Sequence, residues 1–202
     1  MKLVFFGTPY FAATNLEALI NAKYDVAAIV CPPDSKKGRG KQLKACAVKE
    51  VGIKHNIPIL QPLKLRDIDF IQYLKSLNAD LFVVVAFKML PQKVWNLPIK
   101  GTINLHTSLL PNYRGAAPIN WVLINGEKET GITTFFINQQ IDSGLIIKQE
   151  KIQLKETTTA AELHNTLMNK GSKLLINTLK SIKNSSVSLQ KQKYNLEMSE
   201  AP

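Results

Sequence analysis

Short apolar runs alternate along this chain with stretches in which apolar positions recur every three or four residues. The runs have strand length, and the wider spacing marks one face of a helix. Residues 3–6 read as a first strand ending at Gly7-Thr8-Pro9, and residues 11–21 as a helix with Leu16, Leu19 and Ile20 turned inward. A second strand over 26–30 stops at Pro32-Pro33-Asp34, and a basic loop continues to about Leu43. The pattern then predicts a helix over 45–56, a short strand over 57–60 and a helix over 66–77. Residues 81–86, Leu-Phe-Val-Val-Val-Ala, are unbroken by polar positions, as expected of a strand buried on both faces. Strands over 101–106, 132–137 and 145–152 and helices over 116–124 and 159–181 complete the pattern, with Thr157 or Thr158 as cap of the last helix and Glu162 near its first turn. Strand–helix alternation of this kind predicts an α/β fold with a mainly parallel central sheet flanked by helices.

After Lys183 the composition shifts to Asn, Ser, Gln and Lys, so the expected organisation is a domain over 1–182 and a linker over 183–202. The apolar runs are far shorter than the roughly 20 residues of a membrane span. The opening run is also too short for the core of a secretion signal. The expected location is therefore the cytoplasm, with no membrane association. Cys31 and Cys46 lack Cys-x-x-Cys spacing and an adjacent histidine, and read as free thiols rather than metal ligands.

Charge changes the picture more. Lys and Arg number 26 against 15 Asp and Glu, a net charge of +11. Such an excess favours a polyanionic partner, nucleic acid first. Part of it is concentrated at Lys36, Lys37, Arg39 and Lys41, interleaved with Gly38 and Gly40. That order is not a phosphate-binding P-loop. It suits either a nucleic-acid backbone or plain solvation. Gly7-Thr8-Pro9 likewise lacks the glycine order of a dinucleotide fingerprint. His55 and His164 fall on expected helices and read as surface residues.

Candidate chemistry lies at the end of the fifth expected strand. Asn104 and His106 are two apart, so on a strand they share a face. An amide donor beside an imidazole can serve acyl transfer, although two polar residues at a strand end can also simply cap a turn. Asp142, in Ile141-Asp142-Ser143-Gly144, either belongs to an ordinary turn or comes close enough to orient His106 and favour its cationic form. In the segment 108–114 the apolar half can line a pocket, while Arg114 either meets an acidic group or packs as structure.

Several segments together resemble the catalytic domain of the methionyl-tRNA formyltransferase family. They are Phe6-Gly7-Thr8-Pro9, Pro33-Asp34 leading to Gly38-Arg39-Gly40-Lys41, Asn104-Leu105-His106, and Ser108-Leu109-Leu110-Pro111. Tyr113-Arg114-Gly115-Ala116-Ala117-Pro118, Glu129-Thr130-Gly131-Ile132-Thr133 and Ile141-Asp142-Ser143-Gly144 extend the match, which runs over residues 2–182. The resemblance implies a Rossmann-like formyltransferase domain. It also implies transfer of formyl from 10-formyltetrahydrofolate, without a metal, to the amino group of methionine on initiator tRNA, for translation initiation. The implied catalytic residues are Asn104, His106 and Asp142. Folate contacts fall on Ser108, Leu109, Leu110, Pro111, Asn112, Tyr113 and Arg114, with Phe87, Met89, Leu90, Gln140 and Ile141 around them. The implied tRNA contacts are Lys36, Lys37, Arg39 and Lys41, and a monomer is expected.

Two positions depart from the family pattern. Tyr10 stands where an acidic residue is usual, and the run Ala86-Phe87-Lys88-Met89-Leu90-Pro91 is shorter than its counterpart. Family members also carry a C-terminal tRNA-binding barrel, and this chain is expected to stop where the linker to it begins. Other folate-dependent formyltransferases, or a formyltetrahydrofolate hydrolase domain, share the catalytic trio and are the alternatives. Formylation of an amino-sugar nucleotide would have no use for the basic loop, whereas Ile119-Asn120-Trp121 resembles the hydrolase group. A nucleic-acid-binding module without catalysis is the reading of another class.

Overall fold

The computed structural model describes residues 1–37, 42–193 and 199–201, with the backbone alone at Lys36, Lys37, Gln42, Leu43 and Glu200. Arg39 and Lys41 lie outside the described residues. The chain divides into two compact units, Met1–Thr102 and Ile103–Pro202.

In the first unit the elements are β1 (Lys2–Gly7), α1 (Tyr10–Asn21), β2 (Asp25–Val30), β3 (Ser35–Lys37), β4 (Gln42–Lys44) and α2 (Ala47–Lys54). They continue with β5 (Ile59–Leu60), α3 (Ile68–Ser76), β6 (Leu81–Val85) and α4 (Gln92–Trp95). β1 lies between β2 and β6, both parallel to it, and β5 is parallel to β2. Leu3–Phe6 are wholly buried, and the five residues of β6 are at most 4% exposed, as a two-sided core strand requires. Phe6 packs on Phe82 and edge-on to Phe87, with ring centres 5.2 and 5.8 Å apart. Proline cannot continue a helix backward, so α1 starts after Pro9, whose carbonyl receives the amides of Ala12 and Ala13. Within the segment expected to be a basic loop, Ser35–Lys37 pairs antiparallel with Gln42–Lys44.

The second unit contains β7 (Thr102–His106, from Ile103 onward), β8 (Arg114–Gly115), α5 (Pro118–Ile124), β9 (Glu129–Phe136), β10 (Ile146–Gln153), α6 (Ala160–Lys183) and β11 (Glu200–Ala201). β9 runs antiparallel to both β7 and β10, and His106 stands opposite Thr133. The long α6 packs on β9 and β10 and buries Leu163, Leu167, Leu175 and Leu179. Its cap is Thr159, rather than Thr157 or Thr158: the Thr159 hydroxyl accepts from the Glu162 amide, and the Thr159 amide donates to the Glu162 carboxylate. Taken unit by unit, the strand order is β6-β1-β2-β5 in the first, all parallel, and β10-β9-β7 in the second, all antiparallel.

Candidate active site

Strand alternation sorts β7 into two faces. Ile103 and Leu105 are buried apolar residues, while Asn104 and His106 emerge together on the opposite face. His106 is 7% exposed, with Nε2 2.7 Å from the carbonyl oxygen of Tyr113. A carbonyl only accepts, so Nε2 carries a proton and donates it. The tautomer is thereby set, and Nδ1 is the nitrogen left for proton exchange. Nδ1 faces Oδ2 of Asp142 at 3.6 Å, an electrostatic contact longer than a good hydrogen bond. Among the described residues the Asn104 amide makes no hydrogen bond, which leaves it available to a ligand.

Asp142 sits on a loop with little freedom. Its φ of 48° is left-handed, a region aspartate visits more readily than most residues. The Asn138 side-chain oxygen accepts from Gln140 N and from Ser143 Oγ, closing the loop upon itself. Gly144 returns the chain to β9 so tightly that a Cβ there would lie 1.6 Å from the Phe136 carbonyl oxygen. The carboxylate is fixed from the other side by the Gly115 amide, which donates to Oδ2 at 3.0 Å.

The segment after β7 is pinned chiefly by one hydroxyl. Thr133 Oγ1 donates to Ser108 O at 2.7 Å and accepts from Leu110 N and from the Gln149 amide. Gln149 also donates to Leu110 O, and Ser108 Oγ to Asn112 O. Leu110 packs on Phe135 and Ile146, and its bond to Pro111 is cis. Tyr113 turns the chain with a φ of 58°, donates from its hydroxyl to Glu127 and accepts there from Asn125. Burial, then the bond to Glu127, pushes its phenol above the ordinary range, so it stays a neutral donor.

The expected residues separate clearly on this scaffold. His106 and Asp142 meet, and Asn104 stands two residues back on the same strand face. Of the expected folate contacts, Ser108, Leu110 and Tyr113 point into the support of their own loop. Leu109 and Pro111 are half-buried, whereas Asn112, Gln140 and Ile141 are exposed. Arg114 gives two hydrogen bonds, from Nε and Nη2, to the side-chain oxygen of Gln192. In the first unit, Leu90 is 5% exposed and Met89 75% exposed. Thr133, Gln149 and Gln192 were not foreseen. The first two could be found only from the register of the β9 hairpin, and Gln192 carries no signal in the sequence.

A histidine held at one nitrogen, open to a carboxylate at the other and flanked by a free amide, suits proton transfer and oxyanion stabilisation at a carbonyl. Fold and sequence agree with that chemistry, for the formyl transferase family model matches residues 1–179 and the chain belongs to this family. Within it, the chain is 50% identical over 192 residues to a methionyl-tRNA formyltransferase of Azobacteroides pseudotrichonymphae, covering 95% of this chain and 59% of that protein. The chain thus spans about three-fifths of the length of such curated relatives. The crystal structure of phosphoribosylglycinamide formyltransferase from Bacillus halodurans superposes with a TM-score of 0.77 at 23% identity, covering 92% of this chain and 96% of that one. An N-formyltransferase from Helicobacter canadensis, in complex with folinic acid and dTDP-3-aminofucose, gives 0.76 at 22% identity, covering 100% and 70%. These two likenesses establish the formyltransferase fold.

Proposed function

We propose that this chain supplies the catalytic unit of a methionyl-tRNA formyltransferase, moving formyl from 10-formyltetrahydrofolate to the amino group of methionine on initiator tRNA. The observation that carries the reading is the His106–Asp142 pair beside the unpaired amide of Asn104. The amine attacks the formyl carbon, a new C–N bond forms, and the carbonyl oxygen gathers negative charge. Asn104 offers an N–H to that oxygen. The Nε2 proton of His106 is committed to the Tyr113 carbonyl, so it reaches the oxyanion only by exchanging that acceptor. Asp142 and the Nδ1 edge of His106 take the proton shed by the amine, directly or through water. The bond from carbon to folate N10 then breaks, and the proton ends on that nitrogen. The side chains proposed to hold the donor are Leu109, Pro111, Asn112, Gln140 and Ile141, which are half-buried or exposed.

A tRNA acceptor is favoured over an amino-sugar nucleotide by the net charge of +11 and by Lys36, Lys37, Arg39 and Lys41. Single-turnover assays of the chain with formyl donor and either charged tRNA or an amino-sugar nucleotide test this choice. Transfer to tRNA is expected, and preference for the sugar would overturn it. Asn104→Ala should slow transfer about 100- to 1,000-fold, as loss of one oxyanion donor does, without lowering Tm. An undiminished rate would remove the oxyanion role.

A further inference from the structure

One side chain from beyond the family match joins the two loops that hold the reacting pair. Gln192 Nε2 donates to the carbonyl oxygens of Asp142 and Gly144, each at 2.8 Å. Its Oε1 accepts from Arg114 Nε at 3.0 Å and Nη2 at 2.6 Å. A neutral primary amide has two N–H donors and one oxygen acceptor, and all are used here. Arg114 is followed by Gly115, whose amide grips the Asp142 carboxylate. The Asp142 main chain and the donor on its side chain are therefore tied to the same residue.

The chain around Gln192 reinforces this tie. Gln190 exchanges two backbone hydrogen bonds with Ile146, at 2.9 and 3.0 Å. Further on, Ser199 O accepts from Tyr113 N at 2.6 Å, and Glu200–Ala201 runs parallel to Arg114–Gly115. Tyr113 is also the residue whose carbonyl holds His106 Nε2. Both partners of the pair are thus located by backbone that this segment restrains.

We infer that Gln192 is a positioning residue for the His106–Asp142 pair: it touches neither member's reacting atoms, yet it sets where the carboxylate stands relative to the imidazole. This rests on the formyl-transfer reading above for its consequence in rate, but not for its consequence in geometry. A carboxylate moved by an ångström from its partner loses much of its value in proton transfer. The stakes are raised by the 3.6 Å separation, which leaves little slack before the contact is lost.

Two variants of the whole chain test the inference. Gln192→Ala removes every bond. Gln192→Glu keeps an acceptor for Arg114 but turns carboxylate oxygens toward the carbonyls of Asp142 and Gly144, so it loses the loop clamp alone. Both should slow single-turnover transfer about 10- to 100-fold. Donor dissociation constants should stay within twofold and circular dichroism should be unchanged. The imidazole nitrogen resonances of His106, separable from those of His55 and His164, should shift in both variants. That spectrum is read whether or not any acceptor is formylated. An inactive parent protein would overturn the proposed function, while the spectra would still decide the positioning. Unshifted His106 resonances, a wild-type rate in Gln192→Glu, or unfolding of both variants would overturn the role assigned to Gln192.

Discussion

Gly115 shows how much can depend on the absence of a side chain. Its φ is 105°, and a Cβ there would lie 2.1 Å from the carbonyl oxygen of Ala201, while its own amide holds the Asp142 carboxylate. Gly115→Ala should destabilise the protein by at least about 1 kcal/mol in urea unfolding. The same variant should slow formyl transfer, because either the strand pairing or the grip on Asp142 must yield. A stable, fully active variant would show that the close approach has no consequence. At this scale the sequence was readable where a local rule applied. Asn104 and His106 are two apart on a strand, so their common face followed from the period of the backbone. The meeting of His106 with Asp142 obeys no local rule. It needs a left-handed turn at Asp142 and a donor from Gly115, and neither appears until the chain has folded. The role of Arg114 was open for the same reason, since its partner turned out to be an amide from another part of the chain.

Elements of five residues or more were legible, and of the shorter ones only β5 was, inside the strand expected over 57–60. The run at 81–86 became β6, and the amphipathic pattern over 159–181 became α6, which ends at Lys183. β8 and β11 have two residues each, too few to show any period. The β3–β4 pairing was hidden because the lysines and glycines of this stretch of sequence read as a loop. The start of α6 carries a reciprocal cap, in which Thr159 Oγ1 accepts from Glu162 N and Glu162 accepts from Thr159 N. Thr159→Ala should cost about 1 kcal/mol, measured by thermal or denaturant unfolding. Hydrogen bonds from the Thr159 amide and then its hydroxyl hold the Glu162 carboxyl below its ordinary value of 4.5. A lowered carboxylate adds stability that is complete above the unfolded value and fades as pH falls through the folded one. The gap in stability between Glu162→Gln and its parent should therefore be constant near neutrality and shrink below about pH 4.5. A gap that widened on acidification would contradict the cap.

Across the molecule, alternation of strands and helices foretold the parallel strands of the first unit, but not the antiparallel strands of the second, because two strands joined by a short turn carry the same apolar pattern in either direction. The net charge of +11 leads to a further measurement. Affinity for tRNA should fall steeply with salt on a double-logarithmic plot, and Arg39→Ala should reduce the slope by about one while donor binding stays intact. Equal loss of both ligands would refute a backbone contact at that residue. Composition also placed a border at Lys183, and backbone bonds of the second unit cross that position. Ile146 pairs with Gln190, Tyr113 with Ser199, and Gly115 with Ala201, all on the far side. A protein cut after α6 would keep every signature motif and the entire trio, yet the turn at Asp142 would lose the Gln192 clamp and keep only its own bonds and the Gly115 amide. With the role inferred for Gln192, the proposed catalytic unit reaches past the stretch that matches the family, into residues that look, letter by letter, like packing string.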